Sequence, residues 1–297
     1  PRRQRGPVTA IARAAGQIIV GGFEGQTVPS AFAALVNEGA VGGAILFSRN
    51  FDSVEAAFRL VGELHTLPRS LWLAVDQEGG RVQRLRAPFP ELPPMRQVGQ
   101  TRRKTVAHKT GALLGQLLSA LGFHQDYAPV LDVDSNPDNP IIGDRSFSRE
   151  AAGVARRGAA FIDGMQSAGL AACGKHFPGH GDTDLDSHLA LPRLPHDLER
   201  LMQVELVPFV SAARVDCAAM MTAHVVFSAL DDTLPATLSE KVIEPLLRQQ
   251  IGYKGVIVSD DLEMKAVADH FGVADAAVRA VRAGCDQLLI CKNVAWI

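Results

Sequence analysis

Short apolar segments rich in β-branched residues recur along the chain, and segments with helical periodicity lie between most of them. Eight such segments are present: 16–23, 42–47, 71–76, 126–133, 170–177, 217–225, 255–260 and 286–292. Strands that alternate with helices are typical of a parallel sheet. Strands that are apolar at both parities are typical of a sheet buried on both faces. The pattern therefore predicts a parallel sheet covered by helices.

The segments between the strands carry signals for helices. Helical spacing covers 29–38, 101–121, 149–168, 197–215, 239–250 and 273–283. A further helix follows residue 51, where Asp52 and Glu55 have the spacing of a capping box. Glycine directly follows several of these segments, as expected at helix C-termini.

Eight strands that alternate with helices fit a (β/α)₈ TIM barrel of the α/β class. Ionisable residues stand at the carboxyl ends of the candidate strands, where such a barrel builds its active site: Asp76, Lys175, His176, His224 and Asp260. A doubly wound open sheet is the alternative, but GGFEGQ (21–26) does not match the dinucleotide-binding fingerprint. We expect residues 1–297 to form a single TIM-barrel catalytic domain with a short or missing C-terminal closing helix.

Charge and cysteine usage limit the partners of the protein. The formal net charge is −2, which offers no basic surface for nucleic acid, and no apolar run approaches the roughly 18 residues of a membrane span. The four cysteines, Cys173, Cys217, Cys285 and Cys291, are scattered singly. Scattered cysteines in apolar runs are typical of buried thiols in a reducing compartment. We expect a cytoplasmic monomer without nucleic-acid or membrane partners.

The segment KHFPGHGDTDLDSH (175–188) concentrates ionisable residues in one loop. Asp182, Asp184 and Asp186 have the alternate spacing of a calcium loop, but position six is Ser187 and position twelve is Arg193. A calcium loop requires glycine and glutamate at those two positions. The calcium interpretation therefore fails.

The three histidines of the same loop, His176, His180 and His188, raise the question of zinc. No helical H-E-x-x-H pattern accompanies them, and zinc does not favour the several carboxylate oxygens that the loop supplies. We therefore expect neither a metal site nor a cofactor. The aspartates at 182 and 184 have a simpler explanation, namely hydrogen bonds to the loop backbone.

Two features of the sequence predict proton transfer and nucleophilic attack. Asp186 and His188 are separated by one residue, so in an extended loop their side chains point to the same side. A carboxylate beside an imidazole fixes its tautomer and raises its pKa, which makes His188 a candidate proton shuttle. In GVIVSDDLEM (255–264), Asp260 or Asp261 is the candidate nucleophile. Asp260 is the better placed at the barrel mouth and Asp261 suits a helix cap, although alternation does not choose between them.

Five motifs together resemble one known family. KHFPGHGDTDLDSH and GVIVSDDLEM, with LAVDQEGGRVQRL (73–85), YAPVLDVDSNPDNPIIGDRSF (127–147) and MMTAHVVF (220–227), are similar to the family-three glycoside hydrolases, in particular the bacterial β-N-acetylglucosaminidases of cell-wall recycling. The resemblance implies a retaining exo-enzyme that acts on muropeptide-type fragments, with Asp260 as nucleophile and His188 with Asp186 as the acid/base dyad. It also implies sugar contacts from Asp76, Arg84, Arg145, Lys175, His176 and His224.

Other functions remain open at this stage. A histidine base is neutral after it has given up its proton, so it would admit an anionic acceptor such as phosphate, which Lys175 and nearby loop amides could hold. A β-glucosidase or phosphorylase of the same family is therefore an alternative. Lys175 at a strand end could form a Schiff base in a lyase, although neighbouring aspartates argue against the lowered pKa that this role needs. A sugar-binding barrel without catalytic activity is the third possibility.

Overall fold

The structure of the protein, a computed structural model, describes residues 9–101, 103–187 and 191–297. Eight parallel strands form a closed barrel, which confirms the predicted TIM-barrel architecture and rules out the open sheet. In chain order the strands of the described residues are β1 Ile19–Gly21, β2 Gly43–Leu46, β3 Trp72–Val75, β4 Gln125–Asp126, β5 Ala171–Phe177, β6 Arg193–Leu194, β7 Ala219–Thr222, β8 Val226–Phe227, β9 Val256–Asp261 and β10 Gln287–Ile290.

The barrel closes where the first and last strands pair. Around it, the strands are ordered β1, β2, β3, β4, β5, β7, β9 and β10, and β10 returns to β1 with Ile19 opposite Leu288. Strands β6 and β8 are not part of the barrel and pair with each other beside it.

The helices connect successive strands on the outside of the barrel. They are α1 Ala10–Gln17, α2 Ser30–Glu38, α3 Val54–His65, α4 Met95–Gln100, α5 Lys104–Ala120, α6 Ala151–Ser167, α7 Leu198–Gln203, α8 Val207–Arg214, α9 Lys265–Phe271 and α10 Val273–Ala283. A π-helix, Ile243–Gln250, precedes β9, and a short 3₁₀-helix, Val294–Trp296, follows β10. Within the described residues, no helix is both long and apolar enough to cross a membrane.

Three local predictions differ from the structure. Helix α3 is capped by Ser53, whose hydroxyl accepts a hydrogen bond from the Ala56 amide at 3.1 Å, so the predicted capping box at Asp52 is wrong. The predicted helix 197–215 is divided into α7 and α8, because Pro208 lacks an amide hydrogen and suits the first turn of a new helix. Helix α1 was missed, since its sequence overlaps the predicted first strand.

The fourth strand is much shorter than its apolar sequence predicts. Strand β4 ends at Asp126, but the chain continues beside β5, where the Cys173 amide donates to the Ala128 carbonyl and the Lys175 amide donates to the Pro129 carbonyl. Pro129 cannot donate a hydrogen bond in return, so the regular ladder is interrupted there. The segment still carries its polar residues to the carboxyl end of the barrel.

Two apolar layers stabilise the fold. The inside of the barrel is filled by residues from all eight barrel strands or the positions directly after them, among them Val20, Ile45, Ala74, Tyr127, Cys173, Met221, Val258 and Leu289. The second and larger layer lies between the strands and the surrounding helices. Because the inside of the barrel is filled, its residues form a core and not a pore.

Glycines allow α5 and α6 to pack closely. A Cβ atom added to Gly164 of α6 would lie 2.0 Å from the His108 carbonyl oxygen, and one added to Gly111 of α5 would lie 2.1 Å from the Phe161 carbonyl oxygen. Real Cβ atoms do not approach backbone oxygens so closely, so a side chain at either position would force the helices apart. Gly62 of α3 differs, because nothing lies within 4 Å of its added Cβ.

We predict that Gly164→Ala and Gly62→Ala have opposite effects on stability. Gly62→Ala should raise the free energy of unfolding by about 0.5–1 kcal/mol, because alanine favours the helix. Gly164→Ala should lower it by about 1–3 kcal/mol, because the strain of overpacking exceeds the same gain in helix propensity. Urea denaturation of both variants measures the difference, and equal stabilisation by both would contradict the close packing of the two helices.

Candidate active site

The carboxyl ends of the barrel strands surround a cavity of about 480 Å³. Its acidic, basic and histidine lining residues come from the ends of six barrel strands or the segments that follow them: Arg49, Asp76, Arg84, Arg145, Lys175, His176, His180, Asp260, Asp261, Glu263, Lys265 and Lys292. Six of the nine residues singled out from the sequence lie together in this wall: Asp76, Arg84, Arg145, Lys175, His176 and Asp260. The cavity is therefore the candidate active site.

One wall of the cavity is an ion-pair cluster centred on Lys175. The Lys175 ammonium lies 2.5 Å from one carboxylate oxygen of Asp76 and 2.6 Å from a carboxylate oxygen of Glu78. The other oxygen of Asp76 accepts a hydrogen bond from Arg84 at 2.7 Å, and both oxygens of Glu78 accept from Arg145 at 2.7 and 2.8 Å. Two carboxylates thus hold three basic side chains in fixed positions.

Glu78 is a member of this cluster that the sequence interpretation missed. It stands two residues after Asp76, and residues i and i+2 of an extended segment lie on the same side. That spacing was the available signal. The Glu78 side chain is 2% exposed, so its charge depends on Arg145 and Lys175.

The cluster keeps all of its members charged. Burial alone would raise the carboxyl pKa values and lower that of Lys175, but the opposite charges prevail, so the pKa values of Asp76 and Glu78 are lowered and that of Lys175 is raised. The cluster stabilises the fold fully above the pKa of an unfolded carboxyl group, and this contribution decreases as the pH falls toward the lowered folded-state values. A lysine with a raised pKa is a poor amine nucleophile, which disfavours a Schiff base.

Asp132 connects the histidines of the loop after β5. Its carboxylate lies 2.7 Å from Nδ1 of His176 and accepts hydrogen bonds from the backbone amides of His176 and His180 at 3.2 and 2.7 Å. Burial would raise the pKa of this carboxyl group, but His176 and these hydrogen bonds lower it. Asp132 was also missed from the sequence, where it stands among several other aspartates.

His180 is buried beside His176 and is bonded on both ring nitrogens. Its Nδ1 lies 2.8 Å from the Thr183 hydroxyl, and its Nε2 lies 2.9 Å from the Ser187 hydroxyl. Burial, together with the neighbouring His176, lowers the pKa of His180 to about 4. The ring is therefore neutral at physiological pH, and one nitrogen donates a hydrogen bond while the other accepts one.

The predicted acid/base dyad is only partly included in the described residues. Asp186 is half-buried and directly precedes Ser187, which lines the cavity. His188 lies outside the described residues, so its role stays a prediction. The structure places the end of the described loop at the cavity that contains Asp260.

The end of β9 supplies the candidate nucleophile. Asp260 and Asp261 both line the cavity, and the Asp261 amide donates to an Asp260 carboxylate oxygen at 2.8 Å. The Asp261 carboxylate accepts hydrogen bonds from the backbone amides of Glu263 and Cys291, at 3.1 and 3.2 Å, and burial raises its pKa to about 6. Asp261 thus connects the end of β9 with the residue after β10. The helix that follows begins at Lys265 and its N-cap is Met264, so Asp261 does not cap it.

His224 lies behind the cavity wall. It is fully buried, its Nδ1 lies 2.8 Å from the Thr237 hydroxyl, and its Nε2 lies 2.9 Å from the Asp261 carbonyl oxygen. Its described contacts hold the end of β9, whereas the sequence interpretation assigned it to sugar binding. Among the described residues, no group of three or more His, Cys, Asp or Glu side chains is arranged to hold a metal ion.

Comparison with known proteins gives one consistent family. The model of the glycosyl hydrolase family 3 N terminal domain matches residues 15–296. A β-hexosaminidase of Alkalilimnicola ehrlichii is 42% identical over 281 residues, which are 92% of this chain and 80% of that relative.

Solved structures agree with this similarity. A glycoside hydrolase family 3 β-N-acetylglucosaminidase from Paenibacillus sp. str. FPU-7 has a TM-score of 0.93 and 41% identity, covering 97% of this chain but only 56% of that longer chain. NagZ from Neisseria gonorrhoeae in complex with N-trifluoroacetyl-D-glucosamine has a TM-score of 0.85 and 39% identity, covering 93% of this chain and 81% of that chain. The same neisserial protein has also been solved in complex with zinc ion, with a TM-score of 0.83 and 38% identity, covering 92% of this chain and 80% of that chain.

We predict that Glu78→Gln destabilises the protein far more than the loss of one carboxylate from an exposed ion pair does. Loss of the charge leaves Lys175 and Arg145 buried with too few carboxylates, which should lower the free energy of unfolding by about 3 kcal/mol. The control is Asp144→Asn, which breaks the Arg81–Asp144 pair, whose side chains are 48% and 46% exposed. It should cost less than about 1 kcal/mol. Similar denaturation midpoints for the two variants would contradict the role of Glu78 in the cluster.

Proposed function

Because the chain belongs to glycosyl hydrolase family 3, we propose that it is a retaining exo-β-N-acetylglucosaminidase. It removes terminal β-linked N-acetylglucosamine, with Asp260 as nucleophile and the dyad of His188 and Asp186 as acid and base. The observation that carries the proposal is the cavity itself, in which Asp260 faces a wall of fixed, charged hydrogen-bonding groups. The similar β-hexosaminidases and the glucosamine derivative bound to the neisserial relative support the substrate class.

The charged wall suits a sugar with several hydroxyl groups. Asp76 is an acceptor and Lys175 and Arg145 are donors, and the ion pairs of the cluster, which includes Glu78 and Arg84, hold them without a substrate. Preorganised groups lose little conformational entropy when the sugar binds. The contact of His176 Nδ1 with Asp132 orients the imidazole and leaves its Nε2 for a sugar hydroxyl or the glycosidic oxygen.

The chemical step requires one nucleophile and one proton donor. In the proposed first step, an oxygen of Asp260 attacks the anomeric carbon, the bond to the leaving oxygen breaks, and His188 protonates that oxygen. In the second step, neutral His188 takes a proton from water as the water displaces Asp260. Asp186 stabilises the protonated imidazole, as the carboxylate of a catalytic triad does.

The mouth of the cavity favours an anionic leaving group. Lys265 and Lys292 are exposed on its rim, and no ion pair to either is present in the described part of the chain, whereas Arg49 and Arg84 in the same lining are paired with Glu24 and Asp76. A leaving group that carries carboxylates, such as the muramic acid and peptide of a cell-wall fragment, would therefore meet uncompensated positive charge. We propose muropeptide-type fragments as substrates on this ground.

Phosphorolysis by the same site is the alternative. The rim lysines also suit phosphate, but Lys175, which the sequence suggested as the phosphate-holding group, is paired with Asp76 and Glu78. Because two carboxylates already compensate the charge of Lys175, this lysine attracts phosphate less than an unpaired lysine would. Hydrolysis is therefore the reaction that the geometry supports best.

The nucleophile assignment predicts different effects for the two adjacent aspartates. Asp260→Asn should lower kcat by on the order of 10⁴-fold or more, because it removes the group that forms the intermediate. Asp261→Asn keeps an oxygen acceptor for the Glu263 and Cys291 amides, so its activity should stay within about tenfold of the wild type. Mass spectrometry after treatment with a 5-fluoro-N-acetylglucosaminyl fluoride should locate the adduct on Asp260. A label on Asp261, or none on an active enzyme, would overturn the assignment.

The basic rim predicts a preference for acidic leaving groups. The double substitution Lys265→Met and Lys292→Met should lower kcat/KM for an N-acetylglucosaminyl-N-acetylmuramic acid disaccharide by about three- to tenfold. It should hardly change kcat/KM for neutral chitobiose. The expected size follows because two partly screened charges each contribute up to about 1 kcal/mol. The preference should also weaken in high salt.

A lysine at the opposite end of the barrel provides the matched control. Lys254 is exposed and lies two residues before the start of β9, so it lies at the amino end of the strands. Lys254→Met should leave the ratio between the two substrates unchanged. If the rim substitutions lowered kcat/KM equally for both substrates, the rim lysines would contribute to stability or to general access and not to leaving-group selection.

A further inference from the structure

The first part of the loop after β5 is held firmly to the barrel. The His180 amide is bonded to Asp132, and Asn139 donates to the carbonyl oxygens of His180 and Thr183 at 3.0 and 2.9 Å. The hydroxyl of Ser135 donates to Asp182 at 2.8 Å. These contacts fix the loop as far as Thr183.

The next three residues project from the surface. Asp184 is exposed, Leu185 is 46% exposed and Asp186 is half-buried, whereas Thr183 and Ser187 on either side are 0% and 2% exposed. The loop thus leaves the body of the protein after Thr183 and returns at Ser187. Asp186 of the proposed dyad lies within this projecting segment, 184–186, and position 188 directly follows its return point.

A single imidazole connects the two ends of the projecting segment. Nδ1 of His180 is bonded to the hydroxyl of Thr183, where the segment begins, and Nε2 is bonded to the hydroxyl of Ser187, where it ends. The other described hydrogen bond of Ser187 is weak, because its carbonyl oxygen accepts from the Ala266 amide at 3.4 Å. The bond between His180 and Ser187 is therefore the stronger restraint on the return point.

The hydrogen-bond inventory favours one tautomer of His180. The Thr183 hydroxyl also lies 3.1 Å from the His180 carbonyl oxygen, to which it donates its only proton. The hydroxyl then accepts from the ring, so Nδ1 carries the hydrogen and Nε2 accepts from the Ser187 hydroxyl. In this arrangement Ser187 is the donor, and the bond needs no charged group.

We propose that His180 is a positioning residue that sets the place of the acid/base dyad through its bond to Ser187. The inference rests on the proposed function, because it takes Asp186 and His188 as the groups that transfer the proton. When the bond is made, the return point lies in the cavity wall close to Asp260. When it is broken, the weak Ala266 contact is the one hydrogen bond left at the return point among the described residues, and the dyad transfers the proton less efficiently.

The test removes this one bond and measures two substrates that differ in their need for an acid. Ser187→Ala should lower kcat for chitobiose about tenfold with little change in KM, because its sugar leaving group requires protonation. For a dinitrophenyl β-N-acetylglucosaminide, which departs without protonation, kcat/KM should stay within about twofold of the wild type. Ser187→Thr, which keeps the hydroxyl, should restore most of the chitobiose activity.

Two further variants separate the possible outcomes. Ser239→Ala also removes a buried serine hydroxyl, which donates to Asp231 at 2.8 Å. Any effect of this variant on kcat/KM should be equal for the two substrates. His188→Ala is the reference for loss of the acid. If His188→Ala discriminates between the substrates and Ser187→Ala does not, His180 has no positioning role. If His188→Ala slows both substrates equally, the acid/base assignment of the proposed function is wrong.

Discussion

The active-site wall depends on the compensation of buried charge. Neither Asp76 nor Glu78 can remain ionised away from water unless cations approach closely, and Lys175 and Arg145 are held in place by the same requirement. Because the members come from β3, β5 and the loop before α6, the neighbouring strands β3, β4 and β5 must come together before the cluster can form. The cost of burying each charge thereby becomes a constraint on geometry, and a sugar meets donors and acceptors that are already oriented.

The loop after β5 follows a different principle. Its fixed part uses neutral or locally compensated groups, such as His180 between two hydroxyls and Asp132 beneath two amides. In its projecting part, 184–186, Asp184 and Leu185 are exposed. Segments with few buried contacts open at low free-energy cost, and proton-transfer groups that must reach the substrate are often carried by them. The proposed function thus assigns rigid sugar binding and adjustable proton transfer to different connections of one barrel.

The sequence predicted the architecture well because strand periodicity and strand-end polarity are local signals. All eight barrel strands overlap the predicted segments, and six predicted site residues share the cavity wall. Glu78, Asp132 and His180 were not assigned because their roles come from partners distant in sequence, such as Arg145 for Glu78. His224 shows the converse: a polar residue at a strand end points to a site, but only tertiary contacts with Thr237 and Asp261 show that it lies behind the wall. The roles of His188 and Asp260 still rest on family resemblance.

The pairing of β1 with β10 has a consequence for how the protein is made. The ladder that closes the barrel joins strands from the two ends of the described sequence, so β1 keeps an unpaired edge until β10 has been synthesised. Contacts between residues far apart in sequence slow folding, and unpaired strand edges promote association between chains. Strand β1 is short, with only three residues, and glycine ends it. A short edge strand offers few backbone groups to a neighbouring chain, which limits aggregation on the ribosome while the last strand is awaited.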